Sequence, residues 1–500
     1  MVVADASQRI VAQGHGRLVL HALADQEWLT LSFTALTIAG GRVLRERPRA
    51  TSGCSRWREC RPRSESLSPT PSRQYCLAVD RFVLRPSGPL QGTVDVNGAK
   101  NSVLKLMAAC LLAPGLHRLD NVPVISDVAI MSDVLRAMGA EVLHEGRGPN
   151  GHLEITVPEE VTPIAPYELV EKMRASIVVL GPLLARYGTA RVSMPGGDDF
   201  GYRPIDFHLS AFENLGATFV TEHGYVEGYC DRLVGTRIVL QFPSHTATDN
   251  ILMGAVLAKG TTVIENAARE PEIGDLAETL TEMGAHIQGA GTSRIEVEGV
   301  DELRPAAHRV IPDRVEAATF VAAVGLVGGE VLVRRARPEH MDMLLEKLRQ
   351  MGMTCTPTDE GILAAAEGRL RSVDVATLPY PGVATDYKPL LVTLLSVADG
   401  VAIVSENLFA GRFRYIDELR RMGAKIKTEG HHAIVRGVPS LSGARVRAPD
   451  IRAGAALVLA GLAAEGVTDV SGAEHIDRGY EDLDGRLRSL GANIERDSSP

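Results

Sequence analysis

Three groups of residues in this sequence have side chains suited to binding a small anion. The first is the segment NGAKN, where Gly98 precedes Lys100 and Asn101 at the predicted start of a helix. A lysine beside the free N–H groups of a helix start can bind an anion. A lysine at a turn is also commonly just solvated, so this segment alone does not identify a ligand.

The second group is the segment MPGGDDFGYRPID, which runs from Met194 to Asp206. Three glycines and two prolines exclude a regular element, and the length predicts a loop that covers a binding site. It carries the acids Asp198 and Asp199 and the base Arg203. Charged loops are often inert, so an inert and a catalytic interpretation both stay open at this point.

The third group consists of arginines in otherwise apolar surroundings: Arg174, Arg412, Arg452 and Arg478. An unpaired guanidinium is costly to bury, so each of them predicts a nearby anion. From residue 79 onward the chain holds 42 basic and 56 acidic residues. Local basic clusters in an acidic chain favour a small, multiply charged ligand over diffuse attraction to nucleic acid.

A repeated unit must position these residues. A helix that ends in an apolar residue and glycine, followed by a strand, recurs six times at spacings of 68 to 77 residues. The glycines are Gly139, Gly216, Gly284, Gly352, Gly423 and Gly491. A second glycine precedes each of them by 23 to 28 residues, between an apolar helix and a short strand. The pattern predicts units of strand, helix, strand, helix, strand, strand, with positive φ at the glycines.

Six units divide into two lobes of three that face each other across a cleft, or continue as one solenoid. A solenoid needs end repeats with polar outer faces, whereas helices such as 453–464 are apolar all round. The sequence therefore favours two lobes, and a site in the cleft between them.

Composition narrows the class of protein further. The chain has 500 residues, 45% of them hydrophobic, and no apolar run long enough to span a bilayer. Its six cysteines form no CxxC pair and there is no HExxH, so neither a disulfide framework nor a metal is predicted. We expect a globular enzyme of a reducing cytoplasm that does not enter a membrane.

Residues 1–78 differ in composition from the rest of the chain, with 11 arginines, no lysine and 6 acidic residues. A nucleic-acid-binding arm is one interpretation, and a disordered or mis-started leader is the one we favour. The next methionine after Met1 is Met107, inside a predicted helix, so a later start would use a codon such as that of Val79.

The motifs together resemble a known family. In chain order, GAKN, KMRAS, PGG with GYRPIDFH, ENAAREPEI, ATD, FAGRF and HIDRGYE are similar to those of the UDP-N-acetylglucosamine 1-carboxyvinyltransferases, which are enolpyruvyl transferases. The resemblance runs from about Arg81 to Arg496. It implies an α/β (α+β) fold, a two-domain inside-out α/β barrel with three βαβαββ repeats in each domain. The first lobe would comprise 101–311, and the second 79–100 plus 312–497.

The resemblance also implies a reaction: transfer of the enolpyruvyl group of phosphoenolpyruvate to the 3-hydroxyl of UDP-N-acetylglucosamine, with release of phosphate, at the committed step of peptidoglycan synthesis. It implies a cytoplasmic monomer without metal or cofactor. The implied catalytic residues are Asp198 as acid, Asp386 as base, Lys100 and Arg478. The implied substrate-binding residues are Lys100, Asn101, Arg174, Arg203, Pro204, Ile205, Asp206, Phe207, Ser244, His245, Asp386, Leu408, Arg412 and Arg452.

Two features depart from the family pattern. Many members carry a cysteine at the position of Asp198, and the epoxide antibiotic fosfomycin alkylates that thiol, so the carboxylate predicts insensitivity. Ser244, His245 and Thr246 stand where serine, an aliphatic residue and glycine are more usual. The imidazole could supply a positive charge to the diphosphate, or affinity for the nucleotide could be weaker.

Three other functions compete with this one. The sister transferase that acts on shikimate 3-phosphate shares the architecture but has GSKS rather than GAKN and lacks the PGG loop. A non-catalytic paralogue would bind the UDP-sugar without needing a base such as Asp386. A nucleic-acid-binding protein would depend on the arginine-rich residues 1–78.

Overall fold

The computed structural model describes residues 80–498, except 195–204 and 410, together with five short strands between residues 8 and 43. Contacts divide the chain into a unit of Met1–Gln74 and a unit of Tyr75–Pro500. Among the described residues, no helix combines the length and the hydropathy needed to cross a membrane.

The first unit contains two small antiparallel sheets, β1-β2-β3 and β4-β5. Their strands are β1 (Gln8–Gln13), β2 (Arg17–Ala24), β3 (Glu27–Phe33), β4 (Ile38–Ala39) and β5 (Arg42–Val43). The interpretation of 1–78 as a leader foreign to the family stays a prediction.

The second unit contains the repeats. Its strands are β6 (Arg81–Leu84), β7 (Leu90–Asp95), β8 (Gly115–Asp120), β9 (Glu141–Glu145), β10 (His152–Val157), β11 (Ile164–Ala165), β12 (Thr189–Ser193), β13 (Thr218–Glu222), β14 (Tyr225–Tyr229), β15 (Arg237–Val239), β16 (Thr261–Glu265), β17 (His286–Gln288), β18 (Arg294–Glu298), β19 (Ala307–Arg309), β20 (Gly329–Arg334), β21 (Thr354–Thr358), β22 (Gly361–Ala366), β23 (Val375–Ala376), β24 (Val401–Ser405), β25 (Lys425–Glu429), β26 (His432–Arg436), β27 (Arg445–Arg447), β28 (Thr468–Ser471) and β29 (Ile494–Asp497).

The helices of this unit are α1 (Lys100–Ala109), α2 (Ser126–Ala137), α3 (Tyr167–Val170), α4 (Leu180–Tyr187), α5 (Asp206–Asn214), α6 (His245–Ala255), α7 (Pro271–Glu282), α8 (Arg314–Val327), α9 (Asp342–Met351), α10 (Lys388–Val397), α11 (Ile416–Arg421), α12 (Ile451–Ala463), α13 (Ala473–Ile476) and α14 (Leu483–Ser489). Short 3₁₀ turns cover Cys110–Leu112, Gly148–Asn150, Arg174–Val179 and Pro338–His340.

Six four-stranded sheets in the described part of this unit share one topology. An edge strand runs parallel to its neighbour, and two antiparallel strands complete the sheet, as in β11-β12-β14-β13. The others are β19-β8-β10-β9, β15-β16-β18-β17, β21-β22-β20-β7, β23-β24-β26-β25 and β27-β28-β6-β29. The predicted βαβαββ unit is therefore confirmed.

Strand pairing sorts the sheets into two sets of three. Strands β6 and β7 pair with β28, β29 and β20, whereas β19 pairs with β8. The chain thus passes between the sets twice, from β7 to α1 and from β19 to α8. We call the set around α1 the first half and the set around α8 the second half. This exchange excludes a continuous solenoid, in which each repeat contacts its sequence neighbours.

Each half has its own apolar core. One buried cluster draws on residues between 103 and 310, and the other on 82–96 and 315–494. In the second half, α8, α10 and α12 pack against one another. Every residue of α12 from Ile451 to Leu462 is buried, as the apolar pattern predicts.

The signature glycines end helices for a conformational reason. Gly352, which follows α9, has a φ of 106°, and no atom lies within 4 Å of the position that a β-carbon would occupy. Space is therefore available for a side chain, but the left-handed backbone is one that glycine adopts at little cost.

Candidate active site

A cavity of about 290 Å³ is lined by residues from both halves of the second unit. Ten of the residues implied by the family motifs lie on its wall: Lys100, Asn101, Arg174, Ser244, His245, Asp386, Leu408, Arg412, Arg452 and Arg478. The structure therefore brings together segments that lie up to 378 positions apart in sequence.

Lys100 is positioned where the chain crosses from β7 to α1. A β-carbon at Gly98 would lie 1.8 Å from the carbonyl oxygen of Asn121, so glycine is required for this close approach. Ala99 precedes α1 without a side-chain cap, and the N–H of Lys100 instead donates to Asp313 Oδ2 at 3.1 Å. The helix start is thus capped from the other half of the molecule.

A buried carboxylate holds two of the predicted cations side by side. Asp127, in the first turn of α2, lies 2.8 Å from Lys100 Nζ and 2.9 Å from Arg478 Nε. Burial would raise the pKa of Asp127, but Lys100 and then Arg478 lower it below its usual range. The carboxylate is therefore ionised at neutral pH, and it sets the spacing of the two cations at the cavity wall.

A second carboxylate, Asp386, is held in the same way in the second half. Its Oδ1 accepts a hydrogen bond from Arg412 Nη1 at 2.7 Å, and its Oδ2 lies 3.6 Å from Arg452 Nε. Burial favours protonation, yet Arg412 and then Arg452 hold the pKa of Asp386 far below its usual range. About a quarter of the side chain, 26%, is exposed, so a ligand in the cavity can reach it.

Arg452 enters the cavity wall from the start of α12. Asp450 caps this helix, because its Oδ1 accepts the N–H groups of Arg452 and Ala453 at 3.0 and 2.9 Å. The Arg452 guanidinium faces Asp386, and its Nη2 lies 3.9 Å from Asp313 Oδ2. The sequence predicted an anion near this arginine, and the protein itself supplies two.

The first half contributes the start of α6 to the wall. Ser244 caps this helix, since its Oγ accepts the N–H of Ala247 at 3.4 Å. Burial, and then the nearby charge of Lys105, lowers the pKa of His245 to about 3. The imidazole is therefore neutral at pH 7, which argues against a cationic histidine that compensates for the unusual Ser-His-Thr sequence.

Arg174 and Asn101 complete the predicted set on this wall. Arg174 begins the 3₁₀ turn Arg174–Val179, and burial lowers the pKa of its guanidinium. Asn101 is the second residue of α1, and its carbonyl oxygen accepts a hydrogen bond from Lys105 Nζ. Both side chains face the same cavity as Lys100.

Other predicted residues are not placed in this cavity. Ile205, Asp206 and Phe207 do not line it, because α5 begins at Asp206 and directs Asp206 and Phe207 to a separate, smaller cavity of about 140 Å³. Asp198, Asp199, Arg203 and Pro204 lie outside the described residues.

The sequence interpretation missed several charged residues of the site. Asp127, which joins Lys100 to Arg478, is one of many acids at helix starts, and its sequence carries no mark of this role. Lys105 also lines the cavity, one helical turn after Asn101. The sequence could have indicated its role, because Lys105 lies within an otherwise apolar helix segment and lysines are rarely buried without a partner.

One cluster outside the cavity has the composition of a metal site. Ligand atoms of Asp275, Glu278 and His308 lie within 4.8 Å of one another. The Asp275 carboxylate already accepts a hydrogen bond from Ser102, and its Oδ1 lies 2.8 Å from His308 Nε2. Asp275 and His308 are therefore already engaged by protein partners, in contacts that tie α7 to β19.

Solved structures with a similar fold include enolpyruvyl transferases. The family model described as EPSP synthase (3-phosphoshikimate 1-carboxyvinyltransferase) matches residues 84–487. The structure of the enolpyruvyl transferase NikO from Streptomyces tendae is similar, with a TM-score of 0.76 and 25% identity over 85% of this chain and all of that one. EPSP synthase from Acinetobacter baumannii shares the fold, with a TM-score of 0.64 and 20% identity over 83% of this chain and 99% of that one. The chain therefore belongs to the enolpyruvyl transferase family of enzymes.

Several sequence relatives at higher identity are UDP-N-acetylglucosamine 1-carboxyvinyltransferases. A UDP-N-acetylglucosamine 1-carboxyvinyltransferase of Myxococcus xanthus (strain DK1622) is 48% identical over 428 residues, which cover 84% of this chain and the whole of the relative. One of Anaeromyxobacter dehalogenans (strain 2CP-C) is 50% identical over 420 residues, 84% of this chain and 99% of the relative.

Proposed function

We propose that this enzyme transfers the enolpyruvyl group of phosphoenolpyruvate to the 3-hydroxyl of UDP-N-acetylglucosamine and releases inorganic phosphate. The identity of 48–50% to carboxyvinyltransferases of that name supports this acceptor. The observation that carries the proposal is the ionised Asp386, which faces the same cavity as Lys100 and Arg478. A base and an anion-binding surface are two of the parts that this reaction needs, beside an acid.

The cations of the cavity suit phosphoenolpyruvate, which carries a phosphate and a carboxylate. Lys100 and Arg478 are held close together by Asp127, and Arg412 and Arg452 are held by Asp386. Preorganised cations stabilise the negative charge that develops in the transition state without reorganising during the reaction. We assign the two pairs jointly to the phosphate and the carboxylate.

Asp386 would act as the base toward the acceptor. The sugar hydroxyl gives its proton to Asp386 as its oxygen bonds to C2 of phosphoenolpyruvate, while an acid protonates C3. Loss of a proton from C3 and departure of phosphate then give the enolpyruvyl ether. A carboxylate held by Arg412 and Arg452 is a weak base, so we propose that the charge of the bound anionic substrate partly offsets that of these arginines and raises the pKa of Asp386.

We assign the acid to Asp198, which lies outside the described residues, on the basis of the sequence motif alone. A carboxylate is a poor nucleophile toward an epoxide, so we expect turnover to resist micromolar fosfomycin. Asp198→Cys should introduce time-dependent inactivation by fosfomycin while retaining activity, and Asp198→Ala should abolish turnover. Time-dependent loss of wild-type activity in fosfomycin would contradict the assignment.

A phosphate-release assay tests the proposed function. Purified protein is incubated with phosphoenolpyruvate and either UDP-N-acetylglucosamine or shikimate 3-phosphate. Phosphate release is expected only when the acceptor is UDP-N-acetylglucosamine. Release with shikimate 3-phosphate would instead identify the sister activity. Binding of the UDP-sugar without release would identify a non-catalytic paralogue.

The proposed reaction places the enzyme at the committed step of peptidoglycan synthesis, and therefore in cell-wall formation and cell division. Both substrates are small, charged metabolites of the cytoplasm, so we propose that compartment and a monomeric enzyme. Depletion of the protein in its host should lower the enolpyruvyl UDP-sugar pool, which mass spectrometry of nucleotide sugars measures.

A further inference from the structure

A fully buried ion pair lies directly behind Asp386. Lys388 is the first residue of α10, and Glu406 follows β24. Lys388 Nζ lies 2.7 Å from Glu406 Oε2, and both side chains have no exposed surface. Neither residue lines the cavity. Burial of two charges is costly, so a pair at this place calls for a reason beyond stability.

Glu406 holds two segments of the cavity wall through its two oxygens. Its Oε1 accepts the N–H groups of Leu408 and Phe409, at 2.8 and 3.1 Å. Its Oε2 accepts the hydroxyl of Thr385 at 2.7 Å. Thr385 immediately precedes Asp386, and Leu408 is itself on the wall. One carboxylate therefore joins the segment of the proposed base to the segment of Leu408.

Lys388 holds the third segment of the same wall. Its Nζ donates to the carbonyl oxygen of Arg412 at 2.5 Å and lies 4.0 Å from the ring centre of Phe413. The Arg412 side chain returns to the network, because its Nη1 donates to Thr385 Oγ1 at 3.0 Å and to Asp386 Oδ1 at 2.7 Å. The contacts thus form a closed circuit from Lys388 through Arg412 and Thr385 to Glu406.

We propose that Lys388 and Glu406 are a positioning pair, which sets the geometry of Asp386, Leu408 and Arg412 without touching substrate. The inference rests on the proposed function for the role of Asp386, and its geometric part does not depend on that role. Charge balance is the reason that a lysine is needed. Without its ammonium group, the Glu406 carboxylate would be buried beside Arg412 and would draw that guanidinium away from Asp386.

The charge state of Lys388 makes the role visible in a pH profile. Burial, opposed by Glu406, lowers the pKa of Lys388 to about 8, with Arg412 and Asp450 the other charged groups that face it. Burial favours protonation of Glu406, but Lys388 and Thr385 keep its pKa below the usual range. As the pH rises above about 8, Lys388 loses its proton while Glu406 stays charged, so turnover should fall.

The test compares wild type with K388Q, the double variant K388Q/E406Q and the control L394A. K388Q is uncharged at every pH, so it should turn over about tenfold more slowly than wild type near neutral pH and show no further alkaline decrease. The double variant lacks both charges, so its turnover should be at least about threefold higher than that of K388Q. L394A removes a buried apolar side chain from the same helix α10, so it should lower the melting temperature but keep the wild-type profile.

Calorimetric binding of phosphoenolpyruvate to the same variants separates the pair from the reaction. K388Q should bind it about tenfold more weakly, because Arg412 is displaced, and the double variant should recover. If wild type releases no phosphate but these affinities hold, the proposed function fails and the positioning pair stands. The pair has no positioning role if the phosphoenolpyruvate affinity and the turnover of K388Q lie within about twofold of wild type and its turnover still falls at alkaline pH. The same conclusion follows if L394A loses as much turnover as K388Q.

Discussion

Two aspartates near the same cavity have opposite charge behaviour. Asp386, in the second half, lies beside two arginines, and its pKa is far below the usual range. Asp249, on α6 of the first half, is fully buried, and burial raises its pKa to about 7 despite the charge of Lys105. One carboxylate is thus ionised at all ordinary pH values, and the other changes charge near neutrality.

The difference lies in the neighbouring charges and not in burial alone. Asp386 receives a hydrogen bond from Arg412 at 2.7 Å. Asp249 is 3.4 Å from Lys105 Nζ and 3.6 Å from His245 Nε2, and neither of its oxygens has a hydrogen-bond partner among the described residues. A single ammonium group at 3.4 Å, opposed by Glu270 and Glu272, therefore does not offset the loss of hydration, whereas two guanidinium groups do.

Of the two aspartates, Asp386 should give the larger effect when it is replaced, and the effect should be on kcat. Asp386→Asn cannot accept a proton and leaves Arg412 and Arg452 without their counter-charge, so kcat should fall by about a thousandfold, within the usual range for loss of a general base. Phosphate release measures it. Asp399→Asn, a change at an exposed ion pair with Arg369 in the same half, is the matched control. A kcat within tenfold of wild type would remove Asp386 from the role of base.

More of the fold than of the candidate site could be predicted from the sequence. The glycine signature predicted six units because a helix followed by a left-handed residue is a local property, which the φ of 106° at Gly352 illustrates. The exchange of β7 and β19 between halves did not follow from the repeat, since it depends on pairing between strands remote in sequence. Family resemblance, and not periodicity, supplied the boundaries that allow for it.

Residues that belong to a recognised motif could be expected near the cavity from the sequence. Residues that join them only through contacts in the folded protein could not. Lys100, Arg412 and Arg452 lie on one cavity wall, as expected from their motifs. The carboxylate partner Asp127 is absent from that set, because a single sequence contains no record of the contact between α2 and Arg478. The same holds for Glu406, whose five contacts come from three separate segments.

Replacement of Asp249 should have a smaller effect than replacement of Asp386, and the effect should be on thermal stability. The folded pKa of about 7 lies above the ordinary value of 3.8, so the stability that this group contributes is present below about pH 4 and is lost as the pH rises to 7. Asp249→Asn does not ionise, so its melting temperature relative to wild type should rise by a few degrees between about pH 4 and pH 8.

Thermal unfolding at both pH values measures this difference, and any constant offset from the loss of the Lys105 partner cancels. Asp301→Asn, at an exposed ion pair with Arg232, serves as the control and should show no such change. If the difference between Asp249→Asn and wild type is the same at both pH values, Asp249 is ionised in the folded protein and the contrast with Asp386 is wrong.

The smallest effect is expected at His245, which lies between Asp249 and the cavity. With a pKa of about 3 the imidazole carries no charge at neutral pH, so it cannot attract the diphosphate of a UDP-sugar before binding. His245→Val should therefore change the KM for UDP-N-acetylglucosamine by less than about threefold, and equally at about pH 6 and pH 8. Thr248→Ala, at a buried position of the same helix that does not line the cavity, controls for displacement of α6. A loss that grows toward pH 6 would instead mean that the bound diphosphate raises the pKa of His245, which then takes up a proton from solvent, with Asp249 ionised as its partner.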